Sequence, residues 1–133
     1  MKKTLFISTL FVLLISCTCN TKSNEMEQGN FAHVVYFWLE NPENQEDRKA
    51  FEASLTNFIN SSEFIRTKHL GTPADTDRGV IDNTYTYCLL LTFDNKEMQD
   101  KYQVEEGHLK FIEESGKLWK KVVVYDSENI LKN

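Results

Sequence analysis

Tyr102 and His108, six residues apart, are the side chains of this sequence best suited to proton chemistry. An imidazole with a pKa of about 6.5 exchanges a proton at neutral pH, and a phenol can polarise a neighbouring carbonyl oxygen. On an unbroken helix this spacing puts two side chains on different faces. Gly107 precedes the histidine, and glycine costs about 1 kcal/mol in a helix interior. We therefore predict a break near Gly107 that lets both side chains converge on one pocket.

A structural role for the same pair is the alternative. In that interpretation Tyr102 packs in the core with its hydroxyl at the surface, and His108 is a partly buried residue at a helix start. If the pair does line a pocket, apolar residues of the neighbouring elements form its walls, and such a pocket suits a small apolar or aromatic ligand. The predicted wall residues are Phe37, Tyr87, Leu91 and Phe111.

The stretch 31–39 is predicted to be a strand that is apolar on both faces. Its alternate residues are Phe31, His33, Val35, Phe37 and Leu39 on one face, and Ala32, Val34, Tyr36 and Trp38 on the other. A strand of this composition is covered on both sides. Helices can cover one face of a small sheet, so we expect a second copy of the protein to cover the other.

The periodicity of the remaining chain predicts an α+β domain of order β-α-β-β-α-β. The predicted first helix has its cap at Asn41 and runs to about residue 60, and the predicted strands that follow span 63–70, 84–93 and 118–126. A second helix, capped at Asp94-Asn95, precedes the last strand. This is the ferredoxin-like arrangement, an antiparallel four-stranded sheet with both helices on one face. The long loop at 71–83 is predicted to be a lid or binding loop.

The first 30 residues have the pattern of a targeting segment. Lys2 and Lys3 precede an apolar run, residues 5–15, that is too short to span a bilayer and fits a signal-peptide core. The run ends in Leu14-Ile15-Ser16-Cys17, which resembles the lipobox of bacterial lipoproteins. That resemblance implies a signal peptide at 1–16, a lipidated Cys17, a tether at 17–30 and a folded domain at 31–133. Two acyl chains on the cysteine give stable anchoring.

Charge and cysteine usage exclude several classes of function. The chain has a net charge of −5, and loss of the two leader lysines leaves 13 positive and 20 negative side chains, a balance of −7. This argues against nucleic acid and against electrostatic binding to lipid head groups, so membrane association should be covalent. The spacings of the cysteines and histidines predict no metal, and no motif predicts a cofactor. We expect a lipoprotein of the bacterial cell envelope, with its domain in the periplasm or outside the cell.

Several stretches resemble the stress-responsive dimeric α/β-barrel (Dabb) family over about residues 31–128. They are Ala32-His33-Val34-Val35-Tyr36-Phe37-Trp38, Gly71-Thr72-Pro73-Ala74, Val80-Ile81-Asp82, Tyr87-Cys88-Leu89-Leu90-Leu91-Thr92-Phe93, Tyr102-Gln103 with His108-Leu109, and Val124-Tyr125-Asp126. The resemblance implies that two sheets pack into a barrel across a homodimer.

The resemblance also implies a candidate catalytic set. A plant cyclase of this family closes a polyketide ring with a tyrosine and a histidine, and has a further histidine on its first strand. The matching residues here are Tyr102, His108 and His33, as oxyanion partner, general base and orienting residue. Many relatives have proline two positions before the catalytic histidine, where this chain has Glu106. Two functions follow: a homodimer that binds a small hydrophobic ligand, or a cofactor-independent acid–base enzyme of the cyclase or lyase type.

Overall fold

The computed structural model describes residues 29–131, so the predicted signal peptide and Cys17 lie outside the described residues. Its elements are β1 (Phe31–Leu39), α1 (Gln45–Ser61), β2 (Thr67–Gly71), β3 (Tyr87–Phe93), α2 (Lys96–Val104), α3 (Glu106–Ser115) and β4 (Trp119–Glu128). The sheet order is β2-β3-β1-β4 and every pairing is antiparallel. The predicted ferredoxin-like order is confirmed, with the second helix divided in two. No helix in this described part is long and apolar enough to cross a membrane.

The helices cover one face of the sheet and leave the other open. In β1 the odd-numbered residues are buried and the even-numbered ones are only half-buried. The core under the helices is formed by Phe31, Val35, Phe37, Leu39, Phe51, Leu55, Phe58, Ile59, Tyr87, Leu89, Leu91, Phe93, Tyr102 and Phe111. The apolar even-numbered residues of β1 therefore lie on a face that the three helices of residues 29–131 do not cover.

The first helix begins three residues later than the sequence indicated. Asn44 is its N-cap, and the Asn44 side chain accepts hydrogen bonds from the backbone amides of Glu46 and Asp47. The predicted cap at Asn41 is wrong because residues 41–44 form a turn, in which the Asn44 amide donates to the Asn41 carbonyl at 3.0 Å. The buried face of α1 follows a helical spacing and consists of Phe51, Leu55, Phe58 and Ile59.

Strand β3 is shorter than predicted and begins at Tyr87. Regular alternation in the predicted strand 84–93 would put Tyr85 on the same face as Tyr87, but the Tyr85 ring contacts Tyr36 on the open side of the sheet, with centroids 4.9 Å apart. Thr86 causes the change. Its side-chain oxygen, rather than its carbonyl, accepts the hydrogen bond from the Leu39 amide, so the regular ladder stops there.

The break between α2 and α3 lies at Glu105, whose backbone is extended, with φ −67° and ψ 150°. The predicted break is therefore present, two residues before Gly107. Gly107 itself lies in the first turn of α3, and a Cβ atom there would come within 3.1 Å of Cδ2 of Phe58. The absence of a side chain at Gly107 therefore lets α3 lie close to α1, and the helix break does not depend on it.

Candidate active site and ligand cavity

A cavity of about 200 Å³ lies between the helix-covered face of the sheet and helices α2 and α3. Most of its wall is apolar, and its polar residues are gathered in one part. The lining residues are His33, Val35, Phe37, Leu89, Tyr102, Gln103, His108, Phe111, Ile112, Trp119, Val122 and Val124. A concave, mainly apolar site with a few convergent polar groups is typical of small-molecule binding.

The structure brings the three predicted catalytic residues together at the polar end of this cavity. Tyr102 comes from the last turn of α2, His108 from the first turn of α3, and His33 from β1. The Tyr102 ring centroid lies 4.9 Å from that of His108 and 5.7 Å from that of His33. The helix break between Tyr102 and His108 makes this approach possible, as the spacing of six predicted.

Tyr102 is a buried phenol that stays protonated at neutral pH. Burial raises the pKa of its hydroxyl, and the negative charges of Glu105 and Asp126 raise the pKa further. The hydroxyl makes no hydrogen bond to any residue of the described range 29–131. Tyr102 therefore offers a free hydrogen-bond donor at the cavity.

His108 is held in one orientation by its own backbone neighbourhood. Its Nδ1 lies 2.9 Å from the carbonyl oxygen of Gln103, near the end of α2. Because a carbonyl only accepts, Nδ1 carries the hydrogen and Nε2 of the neutral ring carries the lone pair. Burial lowers the pKa of His108, and the neighbouring His33 lowers it as well. The ring is therefore neutral at pH 7 and has one nitrogen ready to accept a proton.

His33 is oriented by Asp126, a residue that was not predicted as part of the site. Nδ1 of His33 donates to Oδ1 of Asp126 at 2.6 Å, across directly paired positions of β1 and β4. His33 is buried, whereas the carboxylate is partly exposed. The sequence did carry a signal for Asp126, since Val122, Val124 and Asp126 alternate along β4 and so share one face.

The opposite end of the cavity is aromatic. Trp119 packs there against Phe37 and Phe111, with ring centroids 5.4 and 5.5 Å away. Phe37 and Phe111 line the cavity as predicted. Regular alternation along β4 would put Trp119 on the other face from Val122 and Val124, but the pairing of β1 with β4 is irregular between Trp38 and Leu39 and skips Lys120. The extra residue turns Trp119 towards the cavity.

Tyr87 and Leu91 do not line the cavity, contrary to the prediction. Both are buried in the core. Tyr87 stacks on Phe51 of α1 at 5.0 Å and its hydroxyl donates to Glu52. The cavity lies instead under α2 and α3, so Leu89 is the residue of β3 that reaches it.

The loop between β2 and β3 contributes no residue to this cavity, and its role as a lid or binding loop stays a prediction. Near the end of this loop, Thr84 accepts a hydrogen bond from Nε1 of Trp38, on the open side of the sheet.

Within residues 29–131, no three His, Cys, Asp or Glu side chains are placed to hold a metal ion. The chemistry available is that of a phenol, two imidazoles and a carboxylate.

An antiparallel four-stranded sheet with its helices on one face, and a cavity between the two layers, defines a ferredoxin-like α+β domain. The chain belongs to the stress responsive A/B barrel domain family, whose sequence pattern matches residues 31–129. The resemblance seen in the sequence is thereby confirmed for the folded domain. No curated protein matches the sequence.

Solved structures with the same fold share little sequence with this chain. The Arabidopsis thaliana protein At3g17210 is 21% identical, with a TM-score of 0.64 over 77% of this chain and 98% of its own. A hydroxynitrile lyase from Passiflora edulis is 19% identical, with a TM-score of 0.64 over 80% and 100%. A dimeric protein of unknown function from Bacteroides fragilis is 18% identical, with a TM-score of 0.58 over 77% and 100%. At such identities the likeness shows the fold alone.

Proposed function

We propose that this protein is a homodimer that binds a small hydrophobic molecule in the cavity under α2 and α3. The observation that carries the proposal is the pairing of apolar walls with polar groups that have no partner at one end. The Tyr102 hydroxyl and Nε2 of His108 make no hydrogen bond within the described residues. Both side chains line the cavity, so an unpaired donor beside an unpaired acceptor at the end of an apolar cavity favours a ligand that supplies both contacts.

The matching ligand is a compact, mainly apolar or aromatic molecule with one polar end. Its polar end accepts a hydrogen bond from Tyr102 and donates one to His108, while its body contacts the cavity walls, including Phe37 and Trp119. A neutral ligand fits better than a charged one, because the polar end already holds the carboxylate of Asp126 paired with His33.

The second copy is proposed to cover the open face of the sheet. That face carries an aromatic cluster in which Tyr36 contacts both Tyr85 and Tyr125, with centroids 4.9 and 6.3 Å apart. Exposed tyrosines are enriched in protein interfaces. Two of the structural neighbours are described as dimeric. Because the cavity lies on the other side of the sheet, this association leaves it open to ligand.

We further propose that Cys17 is lipidated and holds the domain at the bacterial cell envelope. The support is the sequence of the leader, with two lysines, a short apolar run and the Leu14-Ile15-Ser16-Cys17 motif. Mass spectrometry of the protein purified from membranes tests this part. An acyl mass on a peptide beginning at Cys17 is expected, and an intact unmodified leader contradicts it.

The binding proposal is tested with a matched pair of tyrosine variants. A library of small phenols and aromatic ketones is screened by thermal shift, and the affinity of each hit is measured by calorimetry. Tyr102→Phe removes the free donor and should weaken binding about 10-fold, equivalent to about 1.4 kcal/mol. Tyr87→Phe removes an equally buried phenol outside the cavity and should leave affinity unchanged. Equal effects of the two variants would contradict the proposed site.

Acid–base catalysis is the second candidate, and the 4.9 Å approach of the Tyr102 and His108 rings favours it. In this proposal Nε2 of His108 removes a proton next to a carbonyl, Tyr102 donates a hydrogen bond to the developing oxyanion, and Asp126 holds His33 in place. One structural neighbour is a hydroxynitrile lyase. Because the pKa of His108 is lowered, the rate should rise with pH through that lowered value and then level off.

Chemical analysis of every bound ligand separates the two functions. Recovery of unaltered ligand after long incubation supports binding alone, whereas a new product that His108→Gln no longer forms supports catalysis. His69→Gln is the control, since His69 lies on β2 outside the cavity. Glutamine keeps a donor for the Gln103 carbonyl, so loss of turnover in a folded His108→Gln variant identifies the imidazole as the reacting group.

A further inference from the structure

A second cavity, of about 270 Å³, lies at the end of the sheet where β1 finishes and β4 begins. It shares no lining residue with the cavity under α2 and α3. Its wall combines flat apolar rings with two cationic side chains. The residues of interest are Trp38, Pro42, Arg48, Pro73, Tyr85 and Lys120. We call it the second cavity.

Two interruptions of the regular sheet lie beside the second cavity. The side-chain oxygen of Thr86 accepts the hydrogen bond from the Leu39 amide at 3.0 Å, and the ladder of β3 stops there. On the other side of β1, Lys120 is the extra residue of β4. Such bulges re-aim side chains and are frequent next to functional sites. Here one bulge contributes Trp119 to the first cavity and Lys120 to the second.

Arg48 is held in place on α1, with most of its donors unused. Its Nη1 donates to the Pro42 carbonyl at 3.0 Å, and its guanidinium group lies 4.9 Å from the ring centroid of Tyr87. These contacts occupy one N–H group and one flat side of a group with five N–H donors. Within residues 29–131, neither Arg48 nor Lys120 forms an ion pair with a carboxylate.

The charge of the wall is positive, although the chain as a whole carries −5. Its two cations are accompanied by one carboxylate, that of Glu43, which is an exposed residue of the turn before α1. The first cavity differs in this respect, because the carboxylate of Asp126 lies at its polar end, paired with His33. The two cavities therefore suit ligands of different charge.

We propose that the second cavity binds a small organic anion, namely a carboxylate attached to a flat apolar or aromatic body. An oriented guanidinium group binds a carboxylate through two parallel hydrogen bonds, and a neighbouring ammonium group adds a further charge contact. The body of the ligand lies against Trp38 and Tyr85. A cavity of this volume is near the lower end of the range for small-molecule sites, so the ligand is of about the size of benzoate.

The proposal gives the long loop between β2 and β3 a binding role. Thr72 and Pro73 at its start line the second cavity, and so do Thr84 and Tyr85 at its end. Tyr85 also lines a groove on the open face of the sheet, where the second copy of the protein is proposed to lie. Arg48 does not line that groove, so a dimer leaves the anion-binding end accessible.

A nuclear magnetic resonance titration of the full chain with benzoate tests the proposal. The chain has two tryptophans, and their indole N–H signals report the two cavities separately, because Trp38 lines the second and Trp119 the first. We expect benzoate to shift the Trp38 signal in a saturable way. Benzamide, which is neutral and of the same size, should need several-fold higher concentrations. A Trp119 signal that shifts at lower benzoate concentration than the Trp38 signal would overturn the proposal.

Two charge variants on α1 form the matched pair. Arg48→Gln removes the charge and keeps a donor for the Pro42 carbonyl, and it should weaken benzoate binding about 10-fold, equivalent to about 1.4 kcal/mol. Lys49→Gln removes the same charge from an exposed neighbour outside the cavity and should bind benzoate like the wild type. Equal affinities of the two variants, or no saturable Trp38 shift in the wild type, would contradict the site. Binding that appears only on dilution to monomer would show that the second copy fills the cavity instead.

Discussion

The two faces of the sheet are built from the same strands but have different surroundings. On the helix-covered face, β1 contributes buried residues that pack against three helices and enclose a cavity. On the open face, the alternate residues of the same strand are half-buried, and Tyr36, Tyr85 and Tyr125 form an aromatic surface that none of the three described helices covers. A strand that is apolar on both faces therefore contributes to the core on one side and, in the proposed homodimer, to the association surface on the other.

The two faces differ in what a substitution should change, which is either the stability of the fold or the binding of a ligand or a second subunit. The core residues of the helix-covered face that do not line the cavity are fully packed, so changes there act on folding. Residues on the open face and around the mouth of the cavity keep much of their exposure, so changes there act on association and ligand binding. Variants matched across the two faces test this division.

The largest effect is expected from Phe51→Ala. Phe51 is completely buried and packs against Phe37, Tyr87 and Phe111. Its truncation should lower the free energy of unfolding by about 3–5 kcal/mol, as measured by urea denaturation. The open-face control, Tyr125→Ala, removes a ring that is 63% exposed. It should change the stability of the isolated subunit by less than about 1 kcal/mol and weaken association instead. Similar losses of stability in both variants would contradict the division.

A smaller effect is expected from Gly107→Ala. The added Cβ would approach Cδ2 of Phe58 to 3.1 Å. Phe58 cannot retreat easily because it stacks on Tyr102 and Phe111. We expect a loss of about 1–2 kcal/mol in the free energy of unfolding. Gly79→Ala is the control, since nothing lies within 4 Å of the added atom, and it should be neutral or slightly stabilising. Wild-type stability in the Gly107 variant would show that α3 can shift without cost.

The smallest effect is expected on the free energy of unfolding at acidic pH. Because burial lowers the pKa of His108, the unfolded chain takes up a proton first as pH falls below about 6.5, and the free energy of unfolding declines until the folded pKa is reached. Above that range the residue contributes no pH dependence. His108→Gln should remove this decline by at most about 1.4 kcal/mol per pH unit, and His69→Gln should keep it. Denaturation curves recorded on both sides of that pH check the prediction.

The fold and the composition of the polar end followed from the sequence because each depends on a short-range pattern. The alternation of β1 reported its two faces, and the spacing of Tyr102 and His108 around a helix break predicted their approach. A resemblance to the family added His33. The first two inferences need only the local period of the chain, whereas the third needed the resemblance.

The missed features depend on pairing between distant strands. Asp126 meets His33 only through the register of β4 against β1, and Trp119 reaches the cavity only because that register slips by one residue. Tyr87 and Leu91 share a face with Leu89, but only the placement of the helices decides which of the three borders the cavity. No local pattern encodes these relations. The cap at Asn44 was missed because Asn41 competes with it four residues from the helix.

The ligand site beneath α2 and α3 is tested most directly by two tryptophan substitutions at neighbouring positions of β4. Val124 lines the cavity mouth, and Val123 points to the open face. Calorimetry with a ligand from the screen should show that Val124→Trp abolishes binding in a folded protein, while Val123→Trp keeps the affinity and alters only the dimer. Full binding by Val124→Trp, or equal loss in both variants, would contradict a ligand site beneath α2 and α3.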